Sequence, residues 1–344
     1  MSGSRARGLD AVRVLAMLAI IAGHLWTADP WVRPVLYTWH VPVFFFLTGY
    51  LWNERRTVTT EVRQRALTVL LPFALWLVLL TVLFNRDDPR GALGDVAHEA
   101  WYSQGMQSPF WAYWFALALF FASIGYRLVS QLGWLPRTAV VLGMAIGVSV
   151  LADSGHLLRL DVAQGLVCML WIFAGHAFRA LTTPGPDRPQ LGALPRAALG
   201  TLSLVAAGIW IAASDSALGL DLGKVDLGVP VQSVLVSLLI CTGLVLVGTS
   251  IPARGLPAVT SDLARAALVV MFVHVAVITQ AGGLAGRDPG EYVVVAAASW
   301  GIGLLLVALP RTSWLTGQRR SRRNAENSGQ ISGRIPQPVP VRAE

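Results

Sequence analysis

A polytopic all-α membrane bundle is the fold class this chain predicts, on three observations. Hydrophobic residues make up 54% of its 344 residues, while Asp, Glu, Lys and Arg together make up 13%. That balance is too apolar for a soluble domain. Apolar stretches of near-membrane length recur along the chain. Arginines gather between alternate stretches, as cytoplasmic loops require.

The first stretch, 9–28, follows Arg5 and Arg7, but Asp10 and Arg13 interrupt it and no small-x-small site follows Trp26. It therefore reads as a span and not as a cleavable signal peptide. The second, 35–52, contains Trp39-His40-Val41-Pro42 and then three phenylalanines. Pro42 is expected to free a backbone carbonyl and kink this span toward a cavity, and the Phe run to pack or face lipid. The third, 66–84, follows Arg63-Gln64-Arg65, which reads equally as a cytoplasmic basic loop or a phosphate-binding element. Seven more spans follow, at about 110–129, 138–152, 160–179, 194–213, 230–249, 264–282 and 291–309.

With the N-terminus in the cytoplasm, the inner segments and Arg13 hold 21 of the 27 cations. The outer segments keep Arg33, Arg86, Arg90, Arg159, Lys224 and Arg287, and 12 of the 19 acids. An even span count and a basic C-terminal stretch agree with both termini inside, in a multi-pass protein of the cell membrane. The expected organisation is one membrane domain over 1–310 and a basic, disordered tail over 311–344, with Arg319–Arg323 resting on anionic lipid. The net charge of +8 thus reflects topology and makes no case for nucleic acid. Cys168 and Cys241 fall in different spans without metal-ligand spacing and are expected to be buried structural thiols; no metal is expected.

Arg13 and His24 lie eleven positions apart in the first span. Eleven residues make three helical turns plus roughly 20°, so both side chains share a face, about 16 Å apart along the axis. Ionisable groups inside a membrane are functional candidates. On spacing alone, Arg13 as a snorkelling cation and His24 as a hydrogen-bonded packing residue stay equally open. His40 falls near the depth of His24, and His274 lies mid-membrane on the ninth span, so both are candidates for the same polar cavity. His98 and His156, in outer loops, and His176, near the inner surface, are expected to be solvated or structural.

The runs LDAVRVLAMLAIIAGH, WHVPVFFFLTGYLW and RQRALTVLLPFALW resemble acyltransferase family 3 of integral membrane proteins, closest in character to its fucose 4-O-acetylase-like subgroup. Its hallmark, a basic residue, ten intervening residues and a His, is matched by Arg13 and His24. FFFLTGY resembles the family's FF-x-x-SG element, with Thr48 in place of Ser. PFWAYWFALALFF resembles its Trp-Phe-Leu element through Trp114 and Phe115, and VVMFVH its late Tyr-Leu-x-His element. There Met271 stands where Tyr is usual, while His274 is retained.

The resemblance implies transfer of an acyl group, most often acetyl, from acyl-coenzyme A to a hydroxyl of a sugar, glycolipid or cell-envelope glycan. No tightly bound cofactor is implied; acetyl-CoA is a donor substrate. His24 and Arg13 are then the expected catalytic pair, with Arg13 also binding the donor. His40, Arg63, Arg65, Trp114 and His274 are the expected substrate-binding residues. A hydroxyl needs a base with a pKa near neutrality, which histidine supplies, and arginine's planar fork suits phosphate. His40 or His274 is expected to donate to the tetrahedral oxyanion. The rival class is a secondary transporter of a small polar or glycosidic molecule, which would more often show internal repeats with paired broken helices. No such repeat is visible. The enzyme reading further predicts a polar cavity through the first, second and ninth spans.

Overall fold

The computed structural model describes residues 3–102, 107–154, 161–183, 191–214, 218–281 and 288–318. Its helices are α1 (Gly3–Leu25), α2 (Pro42–Tyr50), α3 (Val58–Arg65), α4 (Leu71–Phe84), α5 (Pro89–Tyr102), α6 (Trp114–Val129) and α7 (Trp134–Asp153). They continue with α8 (Val162–Thr182), α9 (Ala193–Ala213), α10 (Pro230–Ser250), α11 (Val259–Gln280), α12 (Pro289–Ala308) and the one-turn α13 (Ser313–Thr316). Among the described residues the sole extended pairing is an isolated antiparallel bridge between Asp221 and Asp226.

Each of the ten expected segments contains helix, and eight helical runs among the described residues are long and apolar enough to cross a membrane. The other two segments are shorter. α6 has 16 residues. The segment expected at 35–52 is broken: a π-helical turn, Arg33–Tyr37, precedes a bend, and α2 starts at Pro42. Proline lacks an N–H and is favoured in a first turn. Pro42 therefore opens a new helix instead of kinking a continuous one.

The third run is longer than expected, because α3, a π-helical turn over Ala66–Leu70 and α4 are continuous from Val58 to Phe84. Pro72 has no N–H, and its ring would meet the carbonyl of Thr68 in a regular α-helix. The wider turn accommodates it. Arg63, Gln64 and Arg65 consequently lie on a helix and not in a loop, so their directions are fixed by helical phase.

α1 is central, packed on α10, α11, α12 and the region around α2. α2 crosses α8 at backbone contact: a Cβ on Gly49 would fall 1.9 Å from the Ile172 carbonyl oxygen, and one on Gly175 2.0 Å from that of Phe46. Small residues allow such approach between membrane helices. Gly49 of the FFFLTGY run is thus a helix-crossing residue. Phe45 and Phe46 beside it are fully buried. On the periphery, α7 and α9 expose Leu135, Ile146, Val150, Leu194, Leu202 and Ile209, an apolar surface suited to lipid.

Past residue 310 the chain first packs back onto the bundle. The Trp76 indole N–H donates to the Leu315 carbonyl at 3.0 Å, and Gln318 meets Arg265. Gly317 has φ +65°, and a Cβ there would lie 2.3 Å from the Thr68 carbonyl oxygen. Residues 319–344, including the expected lipid-binding Arg319–Arg323, lie outside the described residues. Cys168 and Cys241 are free and buried, as expected of structural thiols.

Candidate active site

The helical phase of α1 organises the site. Arg13, Met17, Ile20 and His24 follow one another at steps of four, three and four, which keeps them on one face. The first three line a cavity of about 340 Å³, and His24 lines a second of about 400 Å³. The single polar cavity expected through the first, second and ninth spans is therefore two neighbouring cavities, one rich in arginine and one in histidine.

The arginine cavity is walled by α1, by Phe44, Leu47 and Thr48 of α2, and by Ala264, Ala267, Leu268 and Met271 of α11. Arg56, Gln64 and Arg65 add a polar wall, and Phe115 and Leu119 of α6 complete it. The cations are held in place by carboxylates. Arg13 donates to Asp10 at 2.7 Å, and Asp10 accepts from Ser261 of α11 at 2.9 Å. Buried Glu61 takes Arg65 at 3.0 Å, Arg56 at 3.3 Å and Arg127 at 3.4 Å. Four guanidiniums face two carboxylates, so the cluster keeps positive charge in a partly desolvated place, where an anion is bound strongly.

Arg63 is not part of this cluster; it is exposed and lines neither cavity. Two residues on a helix turn the side chain by about 200°, so with Arg65 facing inward Arg63 faces outward. The pairing of the two arginines expected from the RQR run is corrected accordingly.

The histidine cavity is built where helix ends and connections meet. His24 and Thr27 come from the end of α1, and Arg33, Tyr37 and His40 from the broken segment before α2. Trp111 and Trp114 come from the start of α6, and Asp161 and Gln164 from the start of α8. A folded connection between α9 and α10 closes it with Leu220, Asp221, Gly223 and Lys224. Trp114 and Phe115, adjacent in sequence, line one cavity each. Cations here are already matched: Arg33 pairs with Asp221 at 3.5 Å and Asp226 at 3.3 Å, and Lys224 with Asp221 at 3.6 Å.

Three imidazoles converge. The His24 ring lies 5.1 Å from that of His274 and 6.5 Å from the Trp111 ring, while His40 shares the cavity with His24. Nδ1 of His40 donates to the Leu36 carbonyl at 2.5 Å, and Nδ1 of His274 to the Val270 carbonyl at 3.0 Å. A carbonyl only accepts, so the neutral forms of both rings present a bare Nε2. In the neutral form neither ring then donates to an oxyanion, the role expected for them. His274 is fully buried and lines neither cavity, so its place is behind His24.

His176, as expected, is structural: its ring bonds Tyr126 at 2.7 Å and Glu54 at 2.9 Å. The sequence reading missed Gln164. It is 3% exposed, its Nε2 donates to the Gly223 carbonyl at 3.2 Å, and its buried Oε1 has no hydrogen-bond partner among the described residues. The signal was available, since an amide inside an apolar span stands out. It also missed the capping connection, whose Leu218, Leu220, Leu222, Val225 and Leu227 are buried.

A helical bundle with eight helical runs among the described residues long and apolar enough to cross a membrane, and with a cationic cavity beside a histidine cavity, defines a multi-pass membrane protein. The chain belongs to acyltransferase family 3: residues 7–319 match that family, described as an acyltransferase domain. It is similar to nodulation protein NolL of Mesorhizobium japonicum, 26% identical over 147 residues, or 38% of this chain and 37% of that protein. The match thus spans little more than a third of that relative. No solved structure matches the chain.

Proposed function

We propose that this protein is an acyltransferase that moves an acetyl group from acetyl-CoA to a hydroxyl of a sugar-type acceptor in the cell envelope. The observation that carries the reading is that one face of α1 joins the arginine cavity, through Arg13, to the histidine cavity, through His24. The donor's phosphates bind Arg13, Arg56 and Arg65, which Glu61 and Asp10 hold in place. The pantetheine arm runs along Met17 and Ile20 and covers the rise of about 16 Å to His24. In this reading the arginine cavity opens on the cytoplasmic side, where the donor is made.

The acceptor sits in the histidine cavity. Paired cations there favour an uncharged ligand over an anionic one. Tyr37, Trp111 and Trp114 offer flat apolar walls to a sugar ring, and Gln164 Oε1 offers an acceptor for one of its hydroxyls. The volume of about 400 Å³ is within the range of small-molecule sites. A longer glycan or lipid-linked acceptor would place its terminal sugar there and leave the remainder outside.

His24 takes the proton of the attacking hydroxyl as its oxygen bonds the thioester carbon. The carbon–sulfur bond then breaks, and the imidazolium returns the proton to the thiolate, releasing the ester and CoA. The test uses purified protein in nanodiscs with labelled acetyl-CoA and a panel of neutral and anionic sugars and glycolipids, read by mass spectrometry. A neutral acceptor should gain one acetyl mass, and His24→Ala should lower kcat about 10²–10⁴-fold with the protein still folded. Near-normal turnover in that variant would remove His24 from the chemistry. Transport of a glycoside into vesicles without covalent product would overturn the reading.

A further inference from the structure

We propose that His274 is a positioning residue that sets the tautomer of His24, its Nε2 accepting the N–H of the catalytic imidazole. The proposal rests on His24 acting as the general base. His274 is fully buried in the middle of α11, with its ring 5.1 Å from that of His24 and the planes inclined by 50°. Its Nδ1–H is committed to the Val270 carbonyl at 3.0 Å. The Nε2 is buried and has no hydrogen-bond partner among the described residues.

A buried acceptor of this kind is costly unless a donor reaches it. His24 is the donor at hand, since ring centres 5.1 Å apart are compatible with an N–H···N separation of about 3 Å when the nitrogens face each other. A general base needs its lone pair toward the acceptor hydroxyl and its proton on the other nitrogen, and the partner of that proton decides which nitrogen is which. His274 supplies that partner. The line runs from the Val270 carbonyl through both rings to the acceptor hydroxyl.

His40 has the same locked Nδ1 but faces the histidine cavity, where a ligand reaches its Nε2. His274 lines no cavity, so substrate does not reach it. During transfer the proton on its Nδ1 stays in place. Its Nε2 lone pair holds His24 in orientation and stabilises the imidazolium formed when the hydroxyl proton arrives.

The experiment uses the full chain in nanodiscs, with His274→Leu, His274→Gln, His24→Ala and the His24→Ala/His274→Leu pair, after thermal unfolding confirms folding. His274→Leu should lower kcat about 10–100-fold, by analogy with the loss of a partner that orients a metal-binding imidazole, with both KM values unchanged. His274→Gln, which puts an amide oxygen near the Nε2 position, should recover most of that loss. The double variant should be no slower than His24→Ala alone, because the partner acts only through His24.

A raised acceptor or donor KM at unchanged kcat would make His274 a binding residue and overturn the proposal. So would equal losses in the Leu and Gln variants, or an additive double variant. Should the Leu variant not fold, His274→Met carries the same comparison. If His24→Ala itself transfers normally, it is the general-base reading that fails, which separates the two ideas.

Discussion

Replacing Arg13 with Ala tests whether the arginine cavity holds the donor. In the structure the Arg13 guanidinium is fixed by Asp10 at 2.7 Å, and Asp10 by Ser261 at 2.9 Å, so the cation is oriented before any ligand arrives. A hydrogen bond to a charged group contributes about 1.5–3 kcal/mol. At about 1.4 kcal/mol per factor of ten, that corresponds to roughly 10–150-fold in donor affinity. Arg56 and Arg65 remain, so binding weakens and is not abolished. Lys at position 13 should recover only part of the loss, because a point charge cannot present the planar fork. Arg63→Ala is the internal control: that side chain is exposed and lines neither cavity, so affinity should stay within about twofold, as expected for surface substitutions. The assay is equilibrium binding of acetyl-CoA to the protein in nanodiscs, at fixed ionic strength. Unchanged affinity in Arg13→Ala, or an equal loss in Arg63→Ala, would refute the assignment.

Gln164→Leu should raise the acceptor KM about 2–10-fold, one net hydrogen bond, and leave the donor KM alone; a matching rise for the donor would misplace the acceptor. Gly49→Ala should lower the thermal unfolding temperature, because its Cβ meets a backbone carbonyl and forces α2 from α8 at a cost of about 1–3 kcal/mol or more. Gly143→Ala in α7, with nothing within 4 Å of the added Cβ, should instead raise it slightly; equal behaviour of the two would contradict the close crossing. Cysteines placed at Ser2 and near Asp88, after replacing Cys168 and Cys241, should react with an impermeant reagent in intact cells only near Asp88. Labelling at Ser2 would invert the topology.

Much of the molecule was legible before folding because its cause is local. Apolar runs of membrane length become helices wherever no water is present to satisfy the backbone. Arg13 and His24 share a face because eleven residues close to whole turns on any helix, whatever surrounds it. That periodicity, with the FFFLTGY and Trp114-Phe115 runs, led to the family and to five of the residues that line the two cavities: Arg13, His24, His40, Arg65 and Trp114.

Tertiary structure decided what depends on direction and on distant partners. Arg63 and Arg65 are nearly indistinguishable in sequence, yet the helix they share turns one into the cavity and the other away. Glu61 looks like one acid in a basic segment until folding gathers Arg56, Arg65 and Arg127 around it. Gln164 stands out in sequence as an amide in an apolar span, but its role follows from the connection between α9 and α10, which takes its amide N–H and leaves the oxygen with no hydrogen-bond partner among the described residues. The free nitrogen of His274 follows from a turn of its own helix, but its neighbour is His24, some 250 positions earlier in the chain. Periodicity sets which residues share a face of one helix; only the packing of helices sets what that face meets, because contacts between elements distant in sequence have no repeat to read.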